Sequence, residues 1–386
     1  MRVVVFGGTA DSIINFRGTL VRQLKAQGHE VFAYVGERSV GAEETLEAWG
    51  VSLGHFRLSR TNTLPWIDLC TGLDLFCIIR QVKPDIIFSY TIKPVIWTGL
   101  AAFLCRKPQV YSLISGLGYA FSGKTGVRRR LIRLTATILY RLSLCRSTRV
   151  FFQNPDDVEE FVSNRIVKPT QAILVNGSGV DLNQYRQEPF PEGVRFFMAC
   201  RLLADKGVRE YVVAAKIITG TYDQIGFDLA GSIDSNPSSV SREELEQWID
   251  EGVIDYHEQL ADIRPAFRLS SVFVLPSYYR EGIPRSVLEA MAMGRPIITT
   301  DAPGCRETVP LTDKGKRQKK QGVSVMEGDN GFLIRIRDPD ALAEAMRRFL
   351  DHPECIASMG KRSREIAVEK YDVHKVNKVM LNTMGL

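Results

Sequence analysis

The chain contains no Cys-x-x-Cys pair. Its seven cysteines, at 70, 77, 105, 145, 200, 305 and 355, are odd in number and scattered. That argues against a disulfide framework or a zinc site and for reduced thiols in the cytoplasm. The five histidines, at 29, 55, 257, 352 and 374, show no ligand spacing either, so no metal site is predicted. No apolar run reaches the roughly 18 residues a membrane span needs; the longest candidates, such as Val95–Cys105, are too short. Gly-x-Gly-x-x-Gly is absent after the first strand, which disfavours a dinucleotide cofactor. Met1-Arg2-Val3-Val4-Val5-Phe6-Gly7-Gly8 has one basic residue and then a β-branched run into a glycine turn. This is the pattern of a buried first strand and not of a signal peptide.

What is present suits a packed protein of two ordinary domains: 386 residues, 45% hydrophobic and 24% charged. The net charge of +6 is concentrated. Residues 124–149 hold eight Lys/Arg and no acid, residues 312–322 hold five Lys/Arg and one Asp, and the rest of the chain is net negative. Local basicity points to a specific anionic surface or ligand. Within the first segment Leu131, Leu134, Ile138 and Leu142 recur at helical spacing, with Lys124, Arg130, Arg133 and Arg141 as the polar part. The favoured reading turns that stripe into the protein's own core and leaves the positive end to an anion. The sharper one lays a basic amphipathic helix on anionic lipid, where each Lys/Arg contributes about 1 kcal/mol. Nucleic acid is not expected, because no recognition motif or interleaved aromatics accompany the charge. Residues 312–322 read as a solvated mobile loop by default, and as a contact for membrane or phosphate otherwise.

Strand and helix patterns alternate through both halves, which predicts parallel sheets. Val3–Phe6, Val31–Val35, Asp85–Ser89, Val110–Ile114 and Val150–Asn154 read as strands of the first half. Arg195–Cys200, Phe227–Ala230, Val253–His257, Val272–Ser277, Pro296–Asp301 and Asn330–Ile334 read as strands of the second. Asn183–Gly193, with Pro189 and Pro191, reads as a linker. The predicted domains are 1–185 and 194–370, with a terminal helix in 371–386.

The informative loops follow strands. Arg201 and, five residues on, Lys206 stand after the first strand of the second half. There they can clamp a diphosphate, Arg through its fork and Lys as a point charge. Glu281, Gly282 and Ile283 follow the run Val272–Ser277, and Glu289 falls in the helix after them. In open α/β sheets ligands bind at such strand ends, and backbone N–H groups at a helix start favour an anion. Gly231 ends another strand and reads as pocket lining. Gly8 reads either as a packing glycine or as room for a phosphate or acceptor. His257 reads as a strand-end residue.

Glu281-x7-Glu289, with Arg201-x4-Lys206-Gly207, resembles the signature of the retaining glycosyltransferases of family 4. The resemblance implies a GT-B fold, two Rossmann-like domains facing a central cleft, with the terminal helix crossing back to the first domain. It implies a UDP-sugar donor, with Glu281 facing the sugar, Glu289 on the ribose hydroxyls, and Arg201 and Lys206 on the diphosphate. It implies a base-binding stretch at 253–263 and, as is common for this fold, no cofactor or metal for the donor. The family's cleft histidine has no counterpart here. Phe16-Arg17, Phe56-Arg57-Leu58-Ser59-Arg60-Thr61-Asn62 and Gly116-Leu117-Gly118 are similar to a narrower bacterial group. Its members add a hexose or an N-acetylhexosamine to polyprenyl-diphosphate-linked sugars in glycan assembly, and the likeness is strongest to those that add N-acetylgalactosamine. That implies a cytoplasmic-face peripheral enzyme whose lipid-linked acceptor passes Arg17, Lys93 and the basic helix, and makes an α1→3 linkage plausible. Alternatives are a hexosyltransferase of the same family, a GT-B UDP-N-acetylglucosamine epimerase, and a non-catalytic nucleotide-sugar binder.

Overall fold

The computed structural model describes the chain except residues 59–64, 106–107, 118–126, 235 and 237, and the side chains of 40, 65–67 and 127–132. Ser59–Asn62, Gly118, Lys124 and the side chains of Arg128–Leu131, all singled out above, therefore lie outside the described residues. The chain divides into two units, Met1–Gly179 with Val373–Leu386, and Val180–Asp372. This division assigns Tyr185 to the second unit.

In the first unit the strands are β1 (Arg2–Thr9), β2 (Glu30–Glu37), β3 (Ser52–His55), β4 (Ile86–Tyr90), β5 (Gln109–Ile114), β6 (Arg149–Phe152) and β7 (Ala172–Leu174). They form a parallel sheet in the order β3-β2-β1-β4-β5-β6-β7. Alternate residues of β1 serve opposite faces, as the strand period of two requires. Val3 and Val5 join the core with Ile13, Leu20 and Leu24 of helix Ala10–Ala26. Val4 and Phe6 join Leu75, Ile79 and Ala101 on the other side. The terminal helix Val373–Met384 packs Val376, Met380, Leu381 and Met384 into the first of these cores. Thr9 ends β1 and caps the helix, its Oγ1 accepting from the Ser12 N–H at 3.1 Å. The order of connection reverses between β1 and β4, so the unit's switch point lies at Gly8–Thr9 and Tyr90–Thr91.

The basic segment forms helix Val127–Leu144. Its inward face is Leu139, Tyr140, Ser143 and Leu144, with Tyr140 packed edge-on to Phe161 at 5.1 Å between centroids. Leu134, Ile138 and Leu142 are 56%, 47% and 54% exposed. The predicted stripe exists, but it is not core. The helix uses an adjacent strip of its surface to meet the sheet, and the sequence spacing alone does not say which strip turns inward. Among the described residues no helix is long and apolar enough to cross a membrane.

The second unit carries β8 (Arg195–Ala199), β9 (Gly226–Ala230), β10 (Asp255–His257), β11 (Val272–Leu275), β12 (Ile297–Thr300), β13 (Val325–Gly328) and β14 (Gly331–Ile334). Their order is β10-β9-β8-β11-β12-β14-β13. All pairs are parallel except the hairpin β13–β14. The switch point here lies between β8 and β11. Residues 313–320, read from sequence as a loop, form a helix instead, because Thr312 caps it through the Gly315 N–H at 3.1 Å. Its Lys319 pairs with Asp301 at 2.8 Å. Arg295 is fully buried and donates to the carbonyls of Phe267, Glu188 and Pro189, tying down the predicted linker. Burial pushes its guanidinium down to about 10, with Glu188 opposing.

Candidate active site

β8 and β11 are neighbours, so the loops at their carboxyl ends meet. After β8 the chain runs through Cys200 and Arg201 into a short turn, Ala204–Lys206. Gly207 closes it at φ +80°, where a Cβ would come 2.3 Å from the Pro276 carbonyl. The Asp205 carbonyl accepts from the N–H groups of Tyr278 and Tyr279 at 2.9 and 3.0 Å, joining the two loops. That junction brings Lys206 Nζ to 2.7 Å from Glu281 Oε1. Ser277 Oγ donates to the same oxygen at 2.8 Å. The ring of Tyr279 lies 5.6 Å from Lys206 Nζ. Burial alone would lower the Lys206 ammonium, but Glu281 and then Cys200 outweigh it, and the net shift is upward. The Cys200 thiol is pushed up to about 12 by burial, with Lys206 opposing.

Arg201 is not part of that pair. Its side chain is 48% exposed and its Nη1 meets Asp234 Oδ2 at 2.9 Å. Gly231 sits at φ +145°, where a Cβ would fall 1.8 Å from the Cys200 carbonyl, so only glycine lets the end of β9 lie against the end of β8. Gly282 and Ile283 are buried at the entry to helix Arg285–Ala292, whose N-cap is Pro284. Gly304, in the turn after β12, supports them: at φ +84° a Cβ there would meet the Gly282 carbonyl at 1.8 Å. Glu289 is 8% exposed, and its Oε1 accepts from Tyr185 Oη at 2.9 Å and Arg285 Nε at 2.7 Å. The Arg285–Glu289 spacing of four was visible in the sequence; Tyr185 carried no signal. His257 ends β10 and meets Asp228 at 2.9 Å, within a cluster that Arg195 closes by a bidentate bond.

In the first unit, Gly7 and Gly8 divide the roles considered for Gly8. A Cβ on Gly7 would come 2.4 Å from Tyr90 Oη, whereas at Gly8 it would meet only Thr91 Oγ1 at 3.8 Å. Gly7 is thus the close-packed glycine, and Gly8 leaves room beside the strand end. Thr91 takes a left-handed φ of 67°. Tyr90 bonds Ser12 Oγ at 2.8 Å, and burial raises its phenol to about 12. The Arg17 guanidinium, nearly buried, lies 5.5 Å from the Tyr90 ring centre. Lys93 pairs with Asp68 at 2.8 Å.

Paired, pre-set charges at the switch point of a Rossmann-type sheet suit a phosphorylated ligand. Residues 15–177 match the glycosyl transferase 4-like domain, and residues 193–352 match the glycosyl transferases group 1 domain. The chain belongs to the glycosyltransferases. This glycosyltransferase is 28% identical over 323 residues to N,N'-diacetylbacillosaminyl-diphospho-undecaprenol alpha-1,3-N-acetylgalactosaminyltransferase of Campylobacter jejuni, covering 80% of this chain and 83% of that one. It is 24% identical over 333 residues to the Escherichia coli UDP-Gal:alpha-D-GlcNAc-diphosphoundecaprenol alpha-1,3-galactosyltransferase, covering 80% and 77%. Among solved structures, Anabaena HepE in complex with UDP-glucose superposes with a TM-score of 0.76 at 16% identity, over 100% and 99% of the two chains. The fold of the glycosyltransferase is therefore GT-B, with two Rossmann-like halves.

Proposed function

We propose that this glycosyltransferase moves an N-acetylhexosamine, N-acetylgalactosamine in the first instance, from a UDP-sugar to a polyprenyl-diphosphate-linked sugar, with retention and an α1→3 linkage. The observation that carries the reading is the nearly buried Lys206–Glu281 pair at the β8–β11 switch point. The C. jejuni relative's name supports the acceptor class and the sugar, and a neighbour solved with UDP-glucose supports the donor. In this scheme the bond from the anomeric carbon to the diphosphate oxygen breaks, and a bond to the acceptor hydroxyl oxygen forms on the same face. The acceptor's proton passes to the leaving diphosphate. Negative charge grows on that leaving group, so Lys206, with Arg201 at the rim, acts as a fixed counter-charge that needs no reorganisation. Glu281 orients Lys206 and faces the sugar. Gly282, Ile283 and the helix start hold the diphosphate, Gly231 lines the nucleotide and Glu289 takes the ribose.

The lipid-linked acceptor would place the enzyme at the inner face of the cell membrane. Leu134, Ile138 and Leu142 stand exposed on the basic helix, and Leu69, Leu73, Phe103 and Leu104 stand exposed on the helices Pro65–Val82 and Ile92–Cys105. Exposed apolar side chains on a helix of basic sequence favour an anionic lipid surface.

A hexose in place of the N-acetylhexosamine is the second reading, favoured by the E. coli galactosyltransferase relative. Incubation with a panel of UDP-sugars and a synthetic polyprenyl-diphosphate N-acetylhexosamine, read by mass, tests both. A gain of one N-acetylhexosamine supports the first, and a gain of one hexose replaces it by the second. Interconversion of a UDP-sugar without acceptor would instead establish an epimerase.

A further inference from the structure

We propose that Tyr185 and Arg285 form a positioning pair that aims Glu289 at the ribose of the donor. This rests on the reading that the donor is a uridine diphosphate sugar and that Glu289 meets its ribose. An ionised carboxylate offers about four lone-pair sites, two on each oxygen. Tyr185 Oη at 2.9 Å and Arg285 Nε at 2.7 Å both donate to Oε1, which uses that oxygen's capacity and leaves Oε2 as the accepting atom for a ligand hydroxyl.

The arrangement is stiff. Tyr185 is 7% exposed and Glu289 8%, so neither side chain has water to trade its partner for. Arg364, from helix Glu354–Ile366, donates through Nη1 to the Tyr185 carbonyl at 2.8 Å and to the Ala292 carbonyl at 2.6 Å. Ala292 ends the helix that carries Glu289. One guanidinium thus ties the backbone beside the hydroxyl to the helix beside the carboxylate. Arg285 lies one turn before Glu289 and keeps a positive charge against it. Tyr185 remains a donor, since burial and then Glu289 raise its phenol well above the ordinary value. The ribose site is therefore completed by a residue 104 positions upstream of Glu289, outside the motif that marks the site.

The test is calorimetric titration of the full chain with UDP and with 2′,3′-dideoxy-UDP, which lacks both ribose hydroxyls. Tyr185→Phe keeps the ring and its packing, and Arg285→Met keeps the stem. Each variant is expected to weaken UDP roughly tenfold or more, the usual scale for a hydrogen bond to a charged group. Each should leave dideoxy-UDP within about twofold of the unsubstituted protein, because nothing remains for Oε2 to accept. In turnover, Tyr185→Phe should raise the donor KM and leave kcat nearly unchanged. Equal losses for both nucleotides would mean a packing role, or an Arg285 contact to the diphosphate, and would overturn the proposal while sparing the donor assignment. Undiminished UDP binding in both variants would overturn it as well. An unsubstituted protein that binds no UDP would remove the donor assignment and the proposal together.

Discussion

Lys206 Nζ and Glu281 Oε1 are 2.7 Å apart, and the two side chains are only 12% and 13% exposed. Removing one member of a buried pair leaves a charge without its counterpart, which costs about 3–5 kcal/mol, whereas removing both can be close to neutral. Lys206→Ala should therefore lower the unfolding midpoint in denaturant strongly, and Lys206→Ala with Glu281→Ala should recover much of that loss. Turnover should fall by roughly 10²–10³ in the single variant and stay low in the double, as expected for a charge aimed at the leaving group. Full recovery of turnover in the double variant would show that the pair serves stability alone.

The same pair sets a pH expectation. The Lys206 ammonium is raised above its ordinary value by Glu281 and Cys200 against burial. A raised lysine contributes stability in full below its unfolded pKa and loses it only as pH climbs through the folded one. Since an ordinary lysine titrates at about 10.4, the pair should persist across neutral and mildly alkaline solution. Donor KM measured from pH 7 to about 9.5 should show no limb due to Lys206. A limb near pH 8 that disappears in Lys206→Arg would contradict this.

The glycines separate by what a methyl group would meet. Gly231→Ala puts a Cβ 1.8 Å from the Cys200 carbonyl at φ +145°. Forced backbone of that kind costs about 1–3 kcal/mol before any displacement of β8 is counted. Both unfolding free energy and UDP binding should fall. Gly8→Ala meets only Thr91 Oγ1 at 3.8 Å, and its stability should change by no more than about 0.5 kcal/mol. A loss of transfer in Gly8→Ala at full stability would locate a ligand beside that strand end; full activity would remove Gly8 from the site.

Thiol labelling should follow exposure and charge. Cys77 and Cys145 are exposed. Cys200 and Cys305 are each pushed up to about 12, first by burial, which suppresses the reactive thiolate. Iodoacetamide at pH 8, followed by peptide mass analysis, should modify Cys77 and Cys145 well before Cys200 or Cys305. Early modification of Cys305, which is buried, would mean that the turn after β12 opens in solution.

The exposed ridge on helix Val127–Leu144 can be removed without touching the core. Leu134→Ser, Ile138→Ser and Leu142→Ser together should leave the unfolding midpoint nearly unchanged. Each fully buried leucine or isoleucine side chain is worth about 1.5–3 kcal/mol, so binding to anionic vesicles should weaken at least tenfold. Unchanged sedimentation with vesicles would exclude this helix from lipid contact.

Much of this was legible from local pattern. The run Val3–Phe6 read as a buried strand because β-branched and aromatic residues on both faces suit a parallel sheet covered by helices on each side. Glu281-x7-Glu289 and Arg201-x4-Lys206 were legible because a loop and the first turns of a helix fix the spacing of their side chains locally. Three features were not. The ridge Leu134–Ile138–Leu142 has helical spacing whether it faces core or solvent, and only the packing of Tyr140 and Leu144 against Phe152 and Phe161 decides which. Residues 313–320 are too polar to show an apolar period, and the Thr312 cap and the Lys319–Asp301 pair make the helix. Arg201 and Lys206 look equivalent as cations in the sequence, yet one meets Asp234 at the rim and the other meets Glu281.

The sequence by itself determined most of the strands, missing the short edge strands β3, β7 and β13, together with the two Rossmann-like halves, the family and the kinds of charge available at the site. These depend on side-chain periodicity and on motifs a dozen residues long. The tertiary structure alone decided the partners: Lys206 with Glu281, Tyr185 with Glu289, Gly304 beneath Gly282. The first and third exist because β8 lies next to β11 and β11 next to β12, and the second because Arg364 ties the backbone at Tyr185 to the helix that carries Glu289. Strand order is set by how whole helices and sheet faces bury one another, and no short stretch of sequence encodes it.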